Sequence, residues 1–310
     1  MVGGDAEWYE QQNEHIKLRL PLVEEARQGW FHEVTRRLRE NGEDVNAAAP
    51  DGATLLHVAA AAGRRKLVEE LILQHGASVA PRDRMGRTPL VCAAEQTSET
   101  VCETLVEHGG GVVDVNSADV SGATALHVAA RLGHVRIVRW LCSRPELAPN
   151  VYDEYGVAAL HKATSFGQLA CVEALLHDRR VDVNLPCGKP TVPESFQALS
   201  GGETALLLAA SHTYVFHHTK HGPIAGLLLD AGADPNATDA RGRTAVHCAA
   251  AAGNVAILRQ LANSGRVADW DAADHDGKRP SDLAKGNAAV LDALRAGRAM
   301  MRQRRASTRG

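Results

Sequence analysis

One phrase recurs along this chain, and its period limits the possible folds more than any other property. It stands as Gly52-Ala-Thr54-Leu-Leu56-His57, Gly86-Arg-Thr88-Pro89-Leu90 and Gly122-Ala-Thr124-Ala-Leu126-His127. It returns as Gly156-Val-Ala158-Ala-Leu160-His161, Gly202-Glu-Thr204-Ala-Leu206 and Gly242-Arg-Thr244-Ala-Val246-His247, with Gly277-Lys-Arg279-Pro280 as a degraded last copy. Successive glycines lie 34, 36, 34, 46, 40 and 35 residues apart. Such a period marks supersecondary units that bury their apolar faces only by stacking on one another. The 310 residues are therefore expected to form one repeat array rather than two globular domains.

The stretch from Asp51 to Ala80 shows what each unit must be. Asp51-Gly52 is a turn, and Thr54 is placed to cap a first helix through its hydroxyl. Leu55, Leu56, Ala59 and Ala60 make a narrow apolar stripe before Gly63. A second helix follows, with Leu67, Val68, Leu71 and Ile72 on one face, ending at His75-Gly76. Helices of about two turns do not persist alone in water, so packing must hold them. Between units, Asp44-Val-Asn46, Asp114-Val-Asn116, Asp182-Val-Asn184 and Asp234-Pro-Asn236 are turn-forming runs that suit a tight β-hairpin finger.

Thr124-Ala-Leu-His-Val-Ala129, Thr244-Ala-Val-His-Cys-Ala249 and Gly232-Ala-Asp-Pro-Asn236 together resemble the ankyrin repeat, and the resemblance runs from Leu18 to Leu294. It implies an all-α repeat solenoid of helix-turn-helix units with β-hairpin fingers. It also implies a concave face of fingers and first helices where a partner docks, and histidines (His57, His127, His161, His247) that tie backbone between neighbouring units. The expected divisions are a polar segment over 1–17, a capping repeat over 18–50 and six repeats over 51–275. A second capping repeat covers 276–294, and a basic, disordered tail covers 295–310. The six units begin near Asp51, Met85, Ser121, Tyr155, Gly201 and Arg241.

Composition narrows the function by exclusion. The formal charge of −3 gives no global basic excess for nucleic acid. The six cysteines show no C-x-x-C pair, and five fall in expected helices, which reads as buried reduced thiols of a cytoplasmic or nuclear protein. The sequence carries no pattern of a phosphate-binding loop, nucleophile elbow or H-E-x-x-H, and neither a signal peptide nor a membrane span is expected from it. The expectation is a non-enzyme without cofactor or metal. As a monomer it would bind a protein partner as scaffold or adaptor. The alternatives are an inhibitor that masks a kinase or transcription factor, and a nucleic-acid-associated regulator that uses the basic end.

Departures from the repeat are where individual function is sought. A long finger spans 185–200, and an insertion over 211–223 carries His212, His217, His218 and His221. Zinc is considered there and set aside, because no cysteine accompanies the histidines at a metal-ligand spacing. Exposed aromatics beside charges have the composition of interface hot spots. On that ground Tyr152, Asp153, Glu154 and Tyr155 in one finger are candidate partner-binding residues. Lys162 and Phe166 on the helix that follows, and Arg131 and Leu132 one unit earlier, complete the set. In the arginine-rich end, Arg304-Arg305-Ala306-Ser307 resembles a basophilic kinase site, with Ser307 the candidate phosphate acceptor and nuclear import a second reading.

Overall fold

Short, alanine-rich first helices and longer aliphatic second helices alternate along the chain, as the stripe pattern requires. A computed structural model describes residues 21–188, 201–211 and 221–307, and the chain divides into two compact units, 1–120 and 121–310. The first unit holds α1 (Leu22–Arg27), α2 (Phe31–Asn41), α3 (Leu55–Ala61), α4 (Arg65–Leu73), α5 (Pro89–Glu95) and α6 (Glu99–His108). The second begins with α7 (Ala125–Leu132), α8 (Val135–Cys142), α9 (Ala159–Ser165), α10 (Leu169–Leu176) and α11 (Ala205–Ser211). It continues with α12 (His221–Asp230), α13 (Ala245–Ala252), α14 (Val255–Ser264), α15 (Pro280–Leu283) and α16 (Ala288–Ser307).

In the second unit the first helices α7, α9, α11, α13 and α15 stack on one another, and the second helices α8, α10, α12, α14 and α16 form a parallel row. In the first unit α3 packs on α5 and α4 on α6. Ala59, Ala60, Ala93, Ala94, Ala129, Ala130, Ala209 and Ala249 are inaccessible, and their small side chains let the first helices approach closely. The cores are completed by Val68, Leu71, Leu105, Ile137, Leu141, Leu175, Leu228 and Leu261, also inaccessible. Each such aliphatic side chain contributes roughly 1.5–3 kcal/mol of burial, which is what stabilises helices too short to stand alone. Five of the cysteines are buried and Cys142 is half-buried; none is in a disulfide.

The starts of α3, α5, α7, α9, α11 and α13 are capped by one of two devices, and the residue three positions after the N-cap selects which. Where it is histidine, the ring faces back. His57 Nδ1 accepts from the Thr54 N–H at 3.1 Å, His127 from Thr124 at 3.2 Å, His161 from Ala158 at 3.0 Å and His247 from Thr244 at 3.2 Å. Where it is Val91 or Leu207, the threonine hydroxyl instead accepts the backbone N–H of that residue, at 3.4 Å from Thr88 and 3.5 Å from Thr204. Thr54 and His57 form a capping box at the start of α3, with Thr54 Oγ1 3.0 Å from His57 Nδ1.

An accepting Nδ1 leaves the proton on Nε2, which donates to the next repeat's backbone. The acceptors are Arg87 O for His57 (2.9 Å), Val157 O for His127 (3.1 Å) and Leu185 O for His161 (2.9 Å). These three histidines tie backbone between repeats within each unit, as the resemblance implies for them and for His247. Burial holds them neutral, with His161 pushed down to about 4 and His57, His127 and His247 also lowered.

Three expectations need correction. The fingers form no regular strand among the described residues; each is a tight turn whose arms share little more than one backbone bond, such as Asp83 N to Arg87 O at 3.1 Å. Residues 295–307, expected to be a disordered tail, continue the capping helix as α16, because its arginines bind the preceding repeat. The histidine-containing insertion begins at the end of α11 and ends inside α12, where His221 is buried. His212, His217 and His218 lie outside the described residues, as do 1–17, most of the long finger (189–200) and the last three residues.

Candidate functional site

Four fingers are built around a buried aspartate three residues before the repeat's glycine. Asp83 Oδ1 accepts from the N–H groups of Met85 and Arg87, both at 2.9 Å. Asp153 does the same for Tyr155 and Val157 at 3.0 Å, and Asp239 for Arg241 and Arg243 at 2.9 Å. Asp274 serves Asp276 and Lys278 at 3.0 and 2.8 Å. Carboxylates that accept backbone N–H groups in this way fix the turn that presents the finger tip.

The charge of these buried carboxylates must be answered, and the repeats answer it differently. In two fingers an arginine four residues on returns to its own aspartate, Arg87 to Asp83 and Arg243 to Asp239, with Nε–Oδ2 distances of 2.9 and 2.8 Å. In the finger of Tyr155 that position is Val157. Lys162 supplies the charge from α9 instead, with Nζ 2.6 Å from Asp153 Oδ2. The same ammonium lies 5.4 Å from the centroid of the Tyr155 ring. Tyr155 therefore rests on a cation that is already paired, and the residue stays 41% exposed.

Around this centre the candidate residues separate into framework and more exposed positions. Asp153 and Lys162, both expected to meet a partner, are engaged within the finger, since a buried carboxylate needs both the turn N–H groups and the ammonium. Tyr152 is 40% exposed, yet its hydroxyl donates to Pro186 O at 2.7 Å and its ring covers Gly188. It thus braces the root of the long finger, which is closed by Cys187 N to Glu203 O at 2.7 Å and Gly188 N to Gly156 O at 2.7 Å. The Glu154 N–H donates to Ser121 O at 2.8 Å, and its carboxylate raises the Tyr155 phenol above its ordinary pKa.

What remains for contact is Tyr155 at the finger tip and Leu132, 37% exposed at the end of α7. Half-buried Phe166 caps the end of α9, one turn beyond Lys162 on the same helix face. Half-buried Arg131 lies beside Leu132, with its backbone O accepting from Gln168 Nε2 at 3.0 Å. The row of repeated aspartates was the sequence signal that Asp153 belongs to the frame. Lys162 carried no such signal, because its role follows from the absence of an arginine at position 157.

The first unit offers a contrasting surface. An open groove of about 450 Å³ is lined by Arg27, Phe31, Asp51, His57, Arg87 and Glu95, among others. Its charges answer one another: Arg27 pairs with Asp51, and Arg87 with both Asp83 and Glu95. Among the described residues no group of three or more His, Cys, Asp or Glu side chains is placed to hold a metal ion. No helix there is long and apolar enough to cross a membrane.

Family profiles described as ankyrin repeats (3 copies) match residues 22–119 and 110–187, one for many copies matches 221–262, and the single ankyrin repeat matches 201–240. The E3 ubiquitin-protein ligase KEG of Arabidopsis thaliana is 32% identical over 250 residues, which are 71% of this chain and 15% of the ligase. The curated relatives it matches are much longer, and it covers between 10% and 27% of their lengths. Among solved structures, the ankyrin repeat protein EF0377 aligns with a TM-score of 0.56 and 26% identity, over 69% of this chain and 98% of the other. The ankyrin repeat domain of Bcl-3 aligns with a TM-score of 0.52 and 23% identity over 89% of this chain and 98% of the other, a likeness of fold alone. Stacked helix pairs, turn-built fingers and histidine-capped first helices thus meet profiles that cover most of the sequence: the chain belongs to the ankyrin-repeat family, whose repeats are protein-interaction domains.

Proposed function

We propose that this protein is a non-enzymatic scaffold or adaptor that holds a protein partner on the finger and first-helix face of its second unit, centred on Leu132, Tyr155 and Phe166. The observation that supports this reading most directly is Tyr155. A large aromatic is kept 41% exposed on a turn fixed by Asp153, above a lysine whose charge is already answered. A rigid aromatic that loses little freedom on contact is an economical anchor for binding. Leu132 and Phe166 extend the apolar area along two neighbouring helices, and Arg131 gives it a charged rim.

The test compares the intact chain with a Leu132→Ala/Tyr155→Ala variant in partner capture, with the unfolding midpoint of each measured alongside. The expected result is loss of one partner at an unchanged midpoint, because both side chains face solvent. Identical capture by the two proteins overturns the assignment of this face. Tyr152→Ala serves as a control, since removing its bond to Pro186 O should lower stability as well.

A further inference from the structure

The last helix carries the basic run of the chain, and it is held in two ways along its length. Its first half is anchored by apolar contact. Val290 and Leu294 are inaccessible, and Gly297 lies under the Trp270 indole, where a Cβ would come within 2.6 Å of the ring. Beyond Gly297 arginines make the attachment. Arg298 pairs with Asp271 at 3.0 Å, Arg304 donates to Asn263 O at 3.1 Å and Arg305 donates to Ala268 O at 2.7 Å.

Arg304 has a seat shaped for it. Gly265 ends α14 in the left-handed region (φ +65°), and a Cβ there would coincide with the guanidinium. Asn263 belongs to the last turn of α14, whose unpaired carbonyls form the negative end of the helix. Arg180 serves the end of α8 in the same manner, donating to Cys142 O at 2.8 Å and Arg144 O at 2.9 Å, and Arg266 reaches Leu229 O near the end of α12. A guanidinium on the preceding helix end is thus a repeated fastening in the second unit.

The final fastening has an exposed hydroxyl beside it. Ser307 is exposed, three residues after Arg304 and two after Arg305, and its Oγ donates to Gln303 O at 3.0 Å. Residues three apart lie on one helix face, so a group added to Ser307 stands next to Arg304. We propose that Ser307 is a phosphorylation site for an arginine-directed kinase, and that docking of the end of α16 and phosphorylation of Ser307 oppose each other.

In the reaction the γ-phosphoryl group of a nucleoside triphosphate passes to Ser307 Oγ. A new P–O bond forms as the bond to the β-phosphate oxygen breaks, the hydroxyl proton goes to the kinase's general base, and the nucleoside diphosphate leaves. An arginine-directed kinase must reach the guanidinium groups that Asn263 and Ala268 occupy, so the last turns of α16 must open first. The product carries nearly two negative charges and three acceptor oxygens at a helix C-terminus, where the backbone dipole opposes them. It also offers Arg304 a charged acceptor in place of a neutral carbonyl.

The test uses the full chain, ATP and the catalytic subunit of cAMP-dependent protein kinase, with phosphate located by mass spectrometry and hydrogen exchange followed over α16. The intact chain should take phosphate at Ser307, and Ser307→Ala should not. Gly265→Ala, which expels Arg304 while leaving the kinase motif intact, should be modified at least about fivefold faster because local opening is easier. Asp271→Asn, which removes only the partner of Arg298, should act in the same direction and guards against a folding defect at Gly265. Phosphorylated chain should exchange over 300–307 about tenfold faster, with 288–296 unchanged. Absence of phosphate at Ser307, equal rates in the intact chain and both variants, or unchanged exchange after modification would each overturn the proposal.

Discussion

The repeats of Tyr155 and Arg241 share one backbone plan and differ in how a single buried charge is answered. In the Arg241 finger, Asp239 meets Arg243 from the same turn, and the finger is closed on itself. In the Tyr155 finger Val157 takes the arginine's place, and Lys162 comes from α9 to meet Asp153. The substitution couples finger to helix and brings a cation beneath an exposed aromatic ring. A repeat protein can therefore acquire an individual surface without altering its scaffold, by moving one counter-ion to another element.

The largest effect expected from this comparison lies at the aspartates. Asp153→Ala removes the acceptor of two turn N–H groups and strands Lys162, and should cost about 3–5 kcal/mol in urea unfolding, as breaking a buried ion pair does. Asp239→Ala should cost a similar amount. A loss below about 1 kcal/mol at either site would mean that the turn N–H groups find water without strain.

The next effect separates histidine-capped repeats from the repeat of Leu207. Burial lowers the folded-state pKa of His57, His127, His161 and His247, with His161 at about 4, whereas an unfolded imidazole titrates near pH ~6.5. Above that value neither state takes up a proton, and the stability these rings contribute is fully present. As pH falls from about 6.5 toward 4 the unfolded chain gains protons that the folded chain refuses, so stability declines by a few kcal/mol, on the order set by the shift at His161. Unfolding free energy measured at intervals over this window should show the decline, and His161→Leu should flatten it while lowering stability at pH 7. A wild-type profile flat from pH 7 to pH 4 would contradict the holding of these rings in their neutral form.

The smallest effect concerns the counter-ions alone. Lys162→Met leaves Asp153 buried with only its N–H donors and should cost roughly 1.5–3 kcal/mol. Arg243→Met removes a more exposed partner and should cost less, about 1 kcal/mol. Equal costs for the two would show that the helix-borne cation is no more deeply committed than the finger-borne one.

The repeat period made the fold legible because every unit states the same turn, stripe and cap. The histidines could be placed for the same reason. Asp153 shares its structural place with Asp83, Asp239 and Asp274 in other repeats, a likeness that reading it beside Tyr152 and Tyr155 does not bring out. Lys162 and α16 were harder. Lys162 answers a need that exists only once Val157 and Asp153 are folded together. The arginines of α16 bind Asn263 O and Ala268 O, and backbone carbonyls leave no mark in a sequence.

The thiols have a practical consequence. Burial pushes Cys92, Cys102, Cys142 and Cys248 up to about 12 and Cys171 up to about 11, and raises Cys187 as well. The thiolate is the species that alkylating reagents attack, and these groups hold almost none of it near neutrality. The folded protein therefore presents a chemically quiet background in spite of its cysteine content. A single cysteine introduced at an exposed position, such as Leu132, would be the one fast-reacting thiol and could carry a fluorophore onto the proposed contact face without removal of any native residue elsewhere.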